Sequence, residues 1–350
     1  MVRKSGVALL VGLTLVACSW ASPAPGKPGA TSGQSSTSVF ATLSGVPPKV
    51  PRLVSGQPCP LSKPTQLGPH LGMGLGSGPV YVFSGQIVQS DPAYPNKVAW
   101  AADPSYSGPI RIRGGRVDGT GQLLLDSFDN RWPGAAVKTI DGSKLMPELD
   151  LLESHSTFPN VPVGWRMWPS GTYIATPGCY AWQVDGIGFT ELITFHSLDL
   201  VTLPAGAPCP ATRQQVAHTL SAEFGSGPAV GNGPVYALMG EMQAGVLKYR
   251  QSEFNGWALH SKVLWMATPE VRGMVQIRGR QIDGQVVGPN WIGFGAGAVP
   301  EFVLQWEIAS QSGWASLPSE IRIPAPGCYA FQVDSPKGSD VVVFQVVGIQ

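Results

Sequence analysis

Five cysteines carry the most definite chemistry in this chain. Cys18 closes the tetrapeptide Leu15-Val16-Ala17-Cys18, whereas Cys59 and Cys179 lie 120 positions apart and Cys209 and Cys328 lie 119 apart. The matched spacing makes the last four into two disulfide pairs, one in each half, and sets Cys18 aside from them. Disulfides persist in oxidising surroundings, so the chain is expected outside the cytosol. Closing a loop of that length stabilises a fold by about 4 to 5 kcal/mol in the chain-entropy treatment.

Carboxylates come next. Asp118 and Asp185, with counterparts Asp283 and Asp334, could serve as acid and as base or nucleophile in glycoside cleavage if they converged. An Asp before Gly is ordinarily a turn residue, however, and presence in both halves fits a structural role. Arg113 and Arg278 are then expected to make surface or rim pairs with these turns, each worth little. His70 and His218 fall at similar places in the two halves, but neither a His-Glu-x-x-His nor a paired Cys-x-x-Cys spacing occurs. Gly-Leu-Gly-Ser77-Gly lacks the pattern of a nucleophile elbow. No catalytic residue, metal ligand or cofactor is therefore assigned.

Tryptophan remains. Trp100 and Trp265 share strand parity with Val98 and Val263 and are expected in the core. Trp132, Trp165, Trp168, Trp257, Trp291 and Trp314 stand beside Gly, Pro or Asn in expected loops. There they could stack on sugar rings or anchor a protein partner, which makes them the candidate binding residues. The alternative is that they fold back over the ends of the domains, as large aromatics usually do.

At the N-terminus, Arg3 and Lys4 precede an apolar run from Val7 to Val16 broken only by Gly12 and Thr14. A membrane span needs about 20 apolar residues, and this run is roughly half that, the pattern of a secretory signal. Ending in Leu15-Val16-Ala17-Cys18, it resembles the lipobox of bacterial lipoproteins. The resemblance implies that residues 1–18 are a lipoprotein signal peptide and that Cys18 receives a diacylglyceryl group and becomes the first mature residue. Its new amino terminus would usually be acylated too, so fatty chains such as palmitate would tie the protein to the bacterial cell membrane. Two or three chains hold firmly where one binds only marginally. Loss of Arg3 and Lys4 from 23 basic residues leaves 21 against 22 acidic ones. A nucleic-acid binder would carry a basic excess, so no nucleic-acid partner is expected.

The elements that must position these residues come twice. Residues 19–56, rich in Pro, Gly, Ser and Ala, read as a disordered stalk. Beyond it, Pro58-Cys59-Pro60, Gly78-Pro79-Val80-Tyr81, Lys97-Val98-Ala99-Trp100, Ile112-Arg113-Gly114, Val117-Asp118-Gly119 and the Gly178-Cys179-Tyr180 segment all recur in the same order after Pro208. Trp to Asp-Gly spans 18 residues in both copies, whereas Tyr to Trp spans 19 in the first and 29 in the second. Two repeats of this size suit two globular domains, 57–203 and 204–350. Ile110-Arg111-Ile112-Arg113 and Val275-Gln276-Ile277-Arg278 alternate with the period of a half-wet strand. Short strands punctuated by Gly and Pro predict an all-β fold, two tandem antiparallel Ig-like β-sandwiches. In the Gly-Cys-Tyr strand, Tyr180, Trp182 and Val184 form the heavy face and must point inward. Cys179, and Cys328 likewise, should then clip the Cys-Pro segment to the rim or outer face, away from Trp100 and Trp265. The segment Gly-Cys-Tyr-Ala-x-Gln-Val-Asp resembles the repeated domain of uncharacterised bacterial lipoproteins, which implies domain identity and no activity.

The expected function is non-enzymatic: a lipid-anchored cell-envelope protein presenting two β-sandwiches to an extracytoplasmic ligand, glycan or protein. The alternatives are an extracellular glycan hydrolase using a carboxylate pair and a structural envelope spacer. Intact-mass analysis of the membrane fraction should find an acylated mature chain starting at Cys18, and Cys18→Ser should abolish the lipid mass. An unmodified chain cut elsewhere would contradict the lipobox expectation.

Overall fold

A computed structural model describes residues 43, 48–68, 71–84, 87–89, 96–126, 145–151, 161–215, 229–240, 242–250, 259–283, 291–295, 301–309 and 313–349. All of them fall within Ser36–Gln350, one compact unit. The first repeat contributes β1 (Pro64–Gln66), β2 (Met73–Leu75), β3 (Val80–Ser84), β4 (Asn96–Ala102), β5 (Ile110–Arg116), β6 (Leu123–Asp126), β7 (Glu148–Leu151), β8 (Arg166–Ile174), β9 (Cys179–Gly186) and β10 (Phe189–His196). The second contributes β11 (Gln214–Gln215), β12 (Ala229–Val230), β13 (Val235–Leu238), β14 (Met242–Gln243), β15 (Val246–Arg250), β16 (Leu259–Ala267), β17 (Gly273–Gln281), β18 (Gly293–Phe294), β19 (Val303–Ile308), β20 (Ala315–Ile323), β21 (Gly327–Ser335) and β22 (Gly338–Ile349).

Each repeat is a sandwich of two sheets, in strand order β1-β2-β3-β4-β8-β6 over β10-β9-β5-β7, and β11-β12-β13-β16-β20-β18 over β14-β15-β22-β21-β17-β19. Among the described strands, the ladders are antiparallel except that of β15 with β22, which run parallel. The extra ten residues between Tyr236 and Trp265 hold β14 and the start of β15, which lengthen the outer edge beside β22.

Alternation fixes what lies between the sheets. Trp100, Ile110, Ile112, Tyr180, Trp182 and Val184 share one core, and Trp265, Val275, Ile277, Tyr329, Phe331 and Val333 share the other. Trp100 meets Trp182 edge-on at 5.6 Å, and Trp265 meets Phe331 in the same way at 5.1 Å. Such pairs add about 0.5 to 1.5 kcal/mol beyond area burial. The repeated Ile-Arg-Gly motif has a packing cause. A Cβ on Gly114 would stand 2.8 Å from Leu123 and 2.9 Å from the Ala181 carbonyl, and one on Gly279 would stand 2.6 Å from Ile292 and 2.9 Å from the Ala330 carbonyl.

The outer face of the cysteine strand is covered as well. Cys59 is bonded to Cys179 and Cys209 to Cys328. The first bridge packs with Val50, Leu53, Val117 and Ala181, apart from the Trp100 core. The second packs with Leu198, Leu200, Leu203, Ile282 and Ala330. Small Ala181 and Ala330 let the preceding segment lie close, and a glutamine ties it down. Gln183 Oε1 accepts from Lys49 N–H, and Gln332 Oε1 accepts from Asp199 N–H at 2.6 Å. Leu53 N–H donates to the Val117 carbonyl, and Leu203 N–H to that of Ile282.

Two expectations are corrected here. The stalk assigned to 19–56 ends earlier, because Lys49 to Leu53 belongs to the first sandwich; most of its remainder lies outside the described residues. Leu198 to Leu203, assigned to the first repeat, is shared between the two: Leu198 N–H donates to the Ile87 carbonyl of the first, while Leu198, Leu200 and Leu203 pack on Ile282 and Ala330 of the second. In both cases apolar residues spaced along a Pro-bounded segment find an apolar outer face to cover.

Arg113 and Arg278 also depart from the rim pairs expected of them. Arg113 donates to buried Asp185, beside Gln183 and Thr190, and Arg278 donates to buried Asp334, beside Gln332 and Ser339. The second network closes the joint between sandwiches. Arg278 also donates to the His196 carbonyl, and the His196 imidazole meets Asp334 Oδ1 at 2.7 Å. An ionised Asp334 can only accept, so in this contact His196 Nδ1 carries the proton.

Burial works to raise the Asp334 pKa, but the Arg278 charge and the His196 and Ser339 bonds prevail and hold it well below the ordinary 3.8. A depressed carboxylate contributes stability that is fully present above its unfolded pKa and lost as pH falls through the folded one. Arg278→Met should therefore cost about 3 to 5 kcal/mol at pH 7, since it leaves a buried charge unpaired. The penalty of Asp334→Asn, measured by urea unfolding, should shrink as pH drops below 3.8. An equal penalty at pH 7 and pH 3 would contradict the ionised pair.

Candidate functional site

One end of each sandwich gathers its turns. In the first, Val80 stands opposite Ala102 and Ala102 opposite Arg166, so the turn before β3, the end of β4 and the start of β8 meet. Val80 and Val82 point inward, which turns Tyr81 to the outer face, and Trp165 immediately precedes β8. Their ring centroids are 6.1 Å apart and tilted by 41°. The second repeat rebuilds the pair as Tyr236 and Trp314, 6.2 Å apart and tilted by 46°.

The turn beneath each tyrosine requires glycine. Gly78 and Gly233 adopt φ of 93° and 81°, and a Cβ there would stand 2.5 and 2.3 Å from the hydroxyls of Tyr81 and Tyr236. A carboxylate from the opposite sheet fastens the turn. Glu191 accepts from Ser77 Oγ at 2.7 Å and from Ser77 N–H, while Asp340 accepts from Asn232 N–H at 2.8 Å and from its side-chain amide at 2.9 Å. Burial raises the Glu191 pKa, against the hydrogen bonds from Ser77 and Gly78.

Both aromatic pairs remain partly open, and neither tyrosine hydroxyl has a hydrogen-bond partner among the described residues. Tyr106, Tyr180 and Tyr329, by contrast, donate to backbone carbonyls at 2.6 to 2.7 Å. The pKa of Tyr81 is raised by burial and then by the charges of Asp103 and Glu191; that of Tyr236 by burial and then by Glu270 and Asp340. Each corner thus offers two aromatic faces, a free phenol and a negative surround, which suits stacking and hydrogen bonding rather than bond breaking.

Of the six candidate tryptophans, Trp165 and Trp314 are in these corners, and Trp132 and Trp257 lie outside the described residues, as does Cys18. Trp168 is no loop residue. It sits within β8 opposite Trp100, 4% exposed in the core, because its parity places it inward. Trp291 is half-buried over the second disulfide cluster and bridged to Arg280, which removes it from an open loop.

The carboxylate pair does not converge. Asp118 caps the Cys179 amide at 3.0 Å, and Asp185 lies six residues along β9, about 20 Å away at roughly 3.3 Å per residue. Glycosidase carboxyls stand about 5 to 9.5 Å apart. Ser339, His196 and Asp334 do cluster, yet Ser339 Oγ and Asp334 both approach Nδ1. A Ser-His-Asp triad needs its serine on the other ring nitrogen. Among the described residues no group of three or more His, Cys, Asp or Glu is placed to hold a metal.

Tyr81, Tyr236, Glu191 and Asp340 were not singled out by the sequence, although its spacing held the signal. Trp165 and Trp314 each precede their Gly-Cys-Tyr cysteine by 14 residues, and Glu191 and Asp340 each follow it by 12.

No protein-family profile and no curated protein matches the chain. Among solved structures, a candidate lipoprotein from Bacillus anthracis aligns at 14% identity over 41% of this chain and 88% of its own, with a TM-score of 0.28. The adhesin InvE of Yersinia pseudotuberculosis aligns at 9% identity over 78% of this chain and 60% of its own, TM-score 0.21. The D0-D1 domain of intimin aligns at 8% identity over 75% and 97%, TM-score 0.20. Scores of 0.28 and below superimpose too little to carry an argument.

In an alkaline absorbance titration, Tyr81→Phe and Tyr236→Phe should each remove a phenol ionising above the ordinary value of 10. Loss of a component at or below that value would contradict the buried, negative surround.

Proposed function

We propose that this chain is a lipid-anchored envelope protein that binds an extracytoplasmic ligand through the Tyr-Trp corner of each sandwich. The observation that carries the reading is the repetition of that corner. Tyr81 with Trp165 and Tyr236 with Trp314 keep the same separation and tilt, while the clamp beneath changes from Glu191 with Ser77 to Asp340 with Asn232. Rigid aromatics with a polar tip are suited to interfaces, where they supply contact area at low entropic cost.

The joint supports a second role beside binding. β10 ends at His196, whose ring and carbonyl are held by the second sandwich, and Lys63 of the first pairs with Glu307 of the second. Such a junction suits a spacer that keeps its sandwiches in fixed register.

The test is an affinity screen of the full mature chain against a glycan array and isolated envelope material. Trp165→Ala with Trp314→Ala should weaken capture at least 10-fold while circular dichroism and the melting transition stay close to those of the parent. Trp168→Ala should instead lower the melting temperature, as core truncation does. Capture unchanged in the double variant would overturn the reading.

A further inference from the structure

We infer that the Tyr-Trp corners take a cationic glycan, with the protonated amine of an amino sugar set against the aromatic faces and the flanking carboxylates. The inference rests on the binding reading above and names its ligand class.

Charge and aromaticity act together in these corners. Trp and Tyr faces carry a negative quadrupole that attracts an ammonium group within about 6 Å. The charges that bear on Tyr81 are those of Asp103 and Glu191, and the charges that bear on Tyr236 are those of Glu270 and Asp340. Asp103, Glu191 and Asp340 are partly exposed and Glu270 is open to solvent. Their bonds are to neutral groups of the turns: Asp103 to Ser105 N–H, Glu191 to Ser77 and Asp340 to Asn232. None of those bonds cancels a charge.

The arginine that follows Trp165 in the first corner is already engaged. Arg166 lies 5.1 Å over the Trp168 ring and 5.8 Å over Tyr106, and it donates to the carbonyls of Tyr106 and Gly108. Its bonds too are to neutral groups and leave its charge in place, but the charges that bear on Tyr81 itself are the negative ones of Asp103 and Glu191. In the second, Lys337 and Arg272 act on Glu270 and offset part of its charge. The two corners should differ in strength, the first being the tighter.

A sugar ring matches the rest of the geometry. A pair tilted by 41° to 46° offers faces for a pyranose, and the free phenol of Tyr81 or Tyr236 supplies a hydrogen bond to a ring hydroxyl. Two equivalent corners on one chain also suit a polymer whose unit repeats, because the second contact is then intramolecular.

The experiment measures intrinsic tryptophan fluorescence and calorimetry on the full mature chain. The probes are hexamers of glucosamine, of N-acetylglucosamine and of glucose, and hexalysine. The glucosamine hexamer should bind at least 10-fold tighter than either neutral hexamer, and 500 mM salt should remove most of that preference. Asp103→Asn with Glu191→Gln keeps the turn bonds and removes two charges. It should weaken the glucosamine hexamer at least 5-fold and leave neutral hexamers unchanged, whereas Glu270→Gln with Asp340→Asn should cost less. Trp165→Phe, which keeps an aromatic face, should retain more binding than Trp165→Ala.

Neutral hexamers that bind as tightly as glucosamine, with the same loss in Trp165→Ala, would overturn the cationic inference and leave the binding reading standing. Hexalysine binding more tightly than the glucosamine hexamer would overturn the glycan class. Failure of all four probes, with Trp165→Ala and Trp314→Ala silent in the envelope screen as well, would overturn both.

Discussion

Burial of the outer face of the cysteine strand is the constraint on which the rest of this structure depends. A sandwich strand ordinarily hides one face and wets the other. Here β9 and β21 are buried on both, with Gln183, Asp185, Gln332 and Asp334 at most 2% exposed. Burying such groups is tolerable only where hydrogen bonds and counter-charges are supplied. Arg113 and Arg278 supply the charge, Thr190 and Ser339 a hydroxyl, and the backbone preceding each domain supplies the amide that glutamine accepts. The disulfide fixes the chain ten residues after that amide in each copy, so covering segment, bridge and network form one structural device used twice.

That device determines how the sandwiches are joined. In the second repeat the covering segment is also the end of the first: Leu198, Leu200 and Leu203 pack on Ile282, Cys328 and Ala330, and His196 reaches Asp334. No free linker separates the two, because residues that would form one are needed to close the second sheet. The aromatic corners are thereby carried on a braced support, and their clamps extend the same logic. Glu191 and Asp340 come from β10 and β22, the partners of the cysteine strands, and hold turns that belong to the opposite sheet.

Much of this was legible in the residues. The heavy face of Tyr180, Trp182 and Val184 lies inward, strands occupy the alternating segments, and the bridges sit away from Trp100, because period-two patterning and cysteine spacing are local signals that packing does not override. What remained hidden depends on a third layer. Charged residues on an outward face normally meet water, so Arg113 and Arg278 read as rim residues until a covering segment buries them. The same cover drew Lys49 to Leu53 out of an apparent stalk. Trp168 read as a loop residue because Pro169 follows it, although its parity with Trp100 across β4 and β8 places it in the core. The site residues Tyr81 and Glu191 come from different sheets, and one sequence announces such a meeting only through equal offsets in the two copies.

The covering segments are tested most directly by hydrogen–deuterium exchange at the amides of Lys49 and Asp199. If each is bonded to a buried glutamine, both should exchange as slowly as amides of β9 and β21. Exchange at the rate of a free chain would show that the outer faces are wet, and the shared device of network, bridge and joint would fail with it.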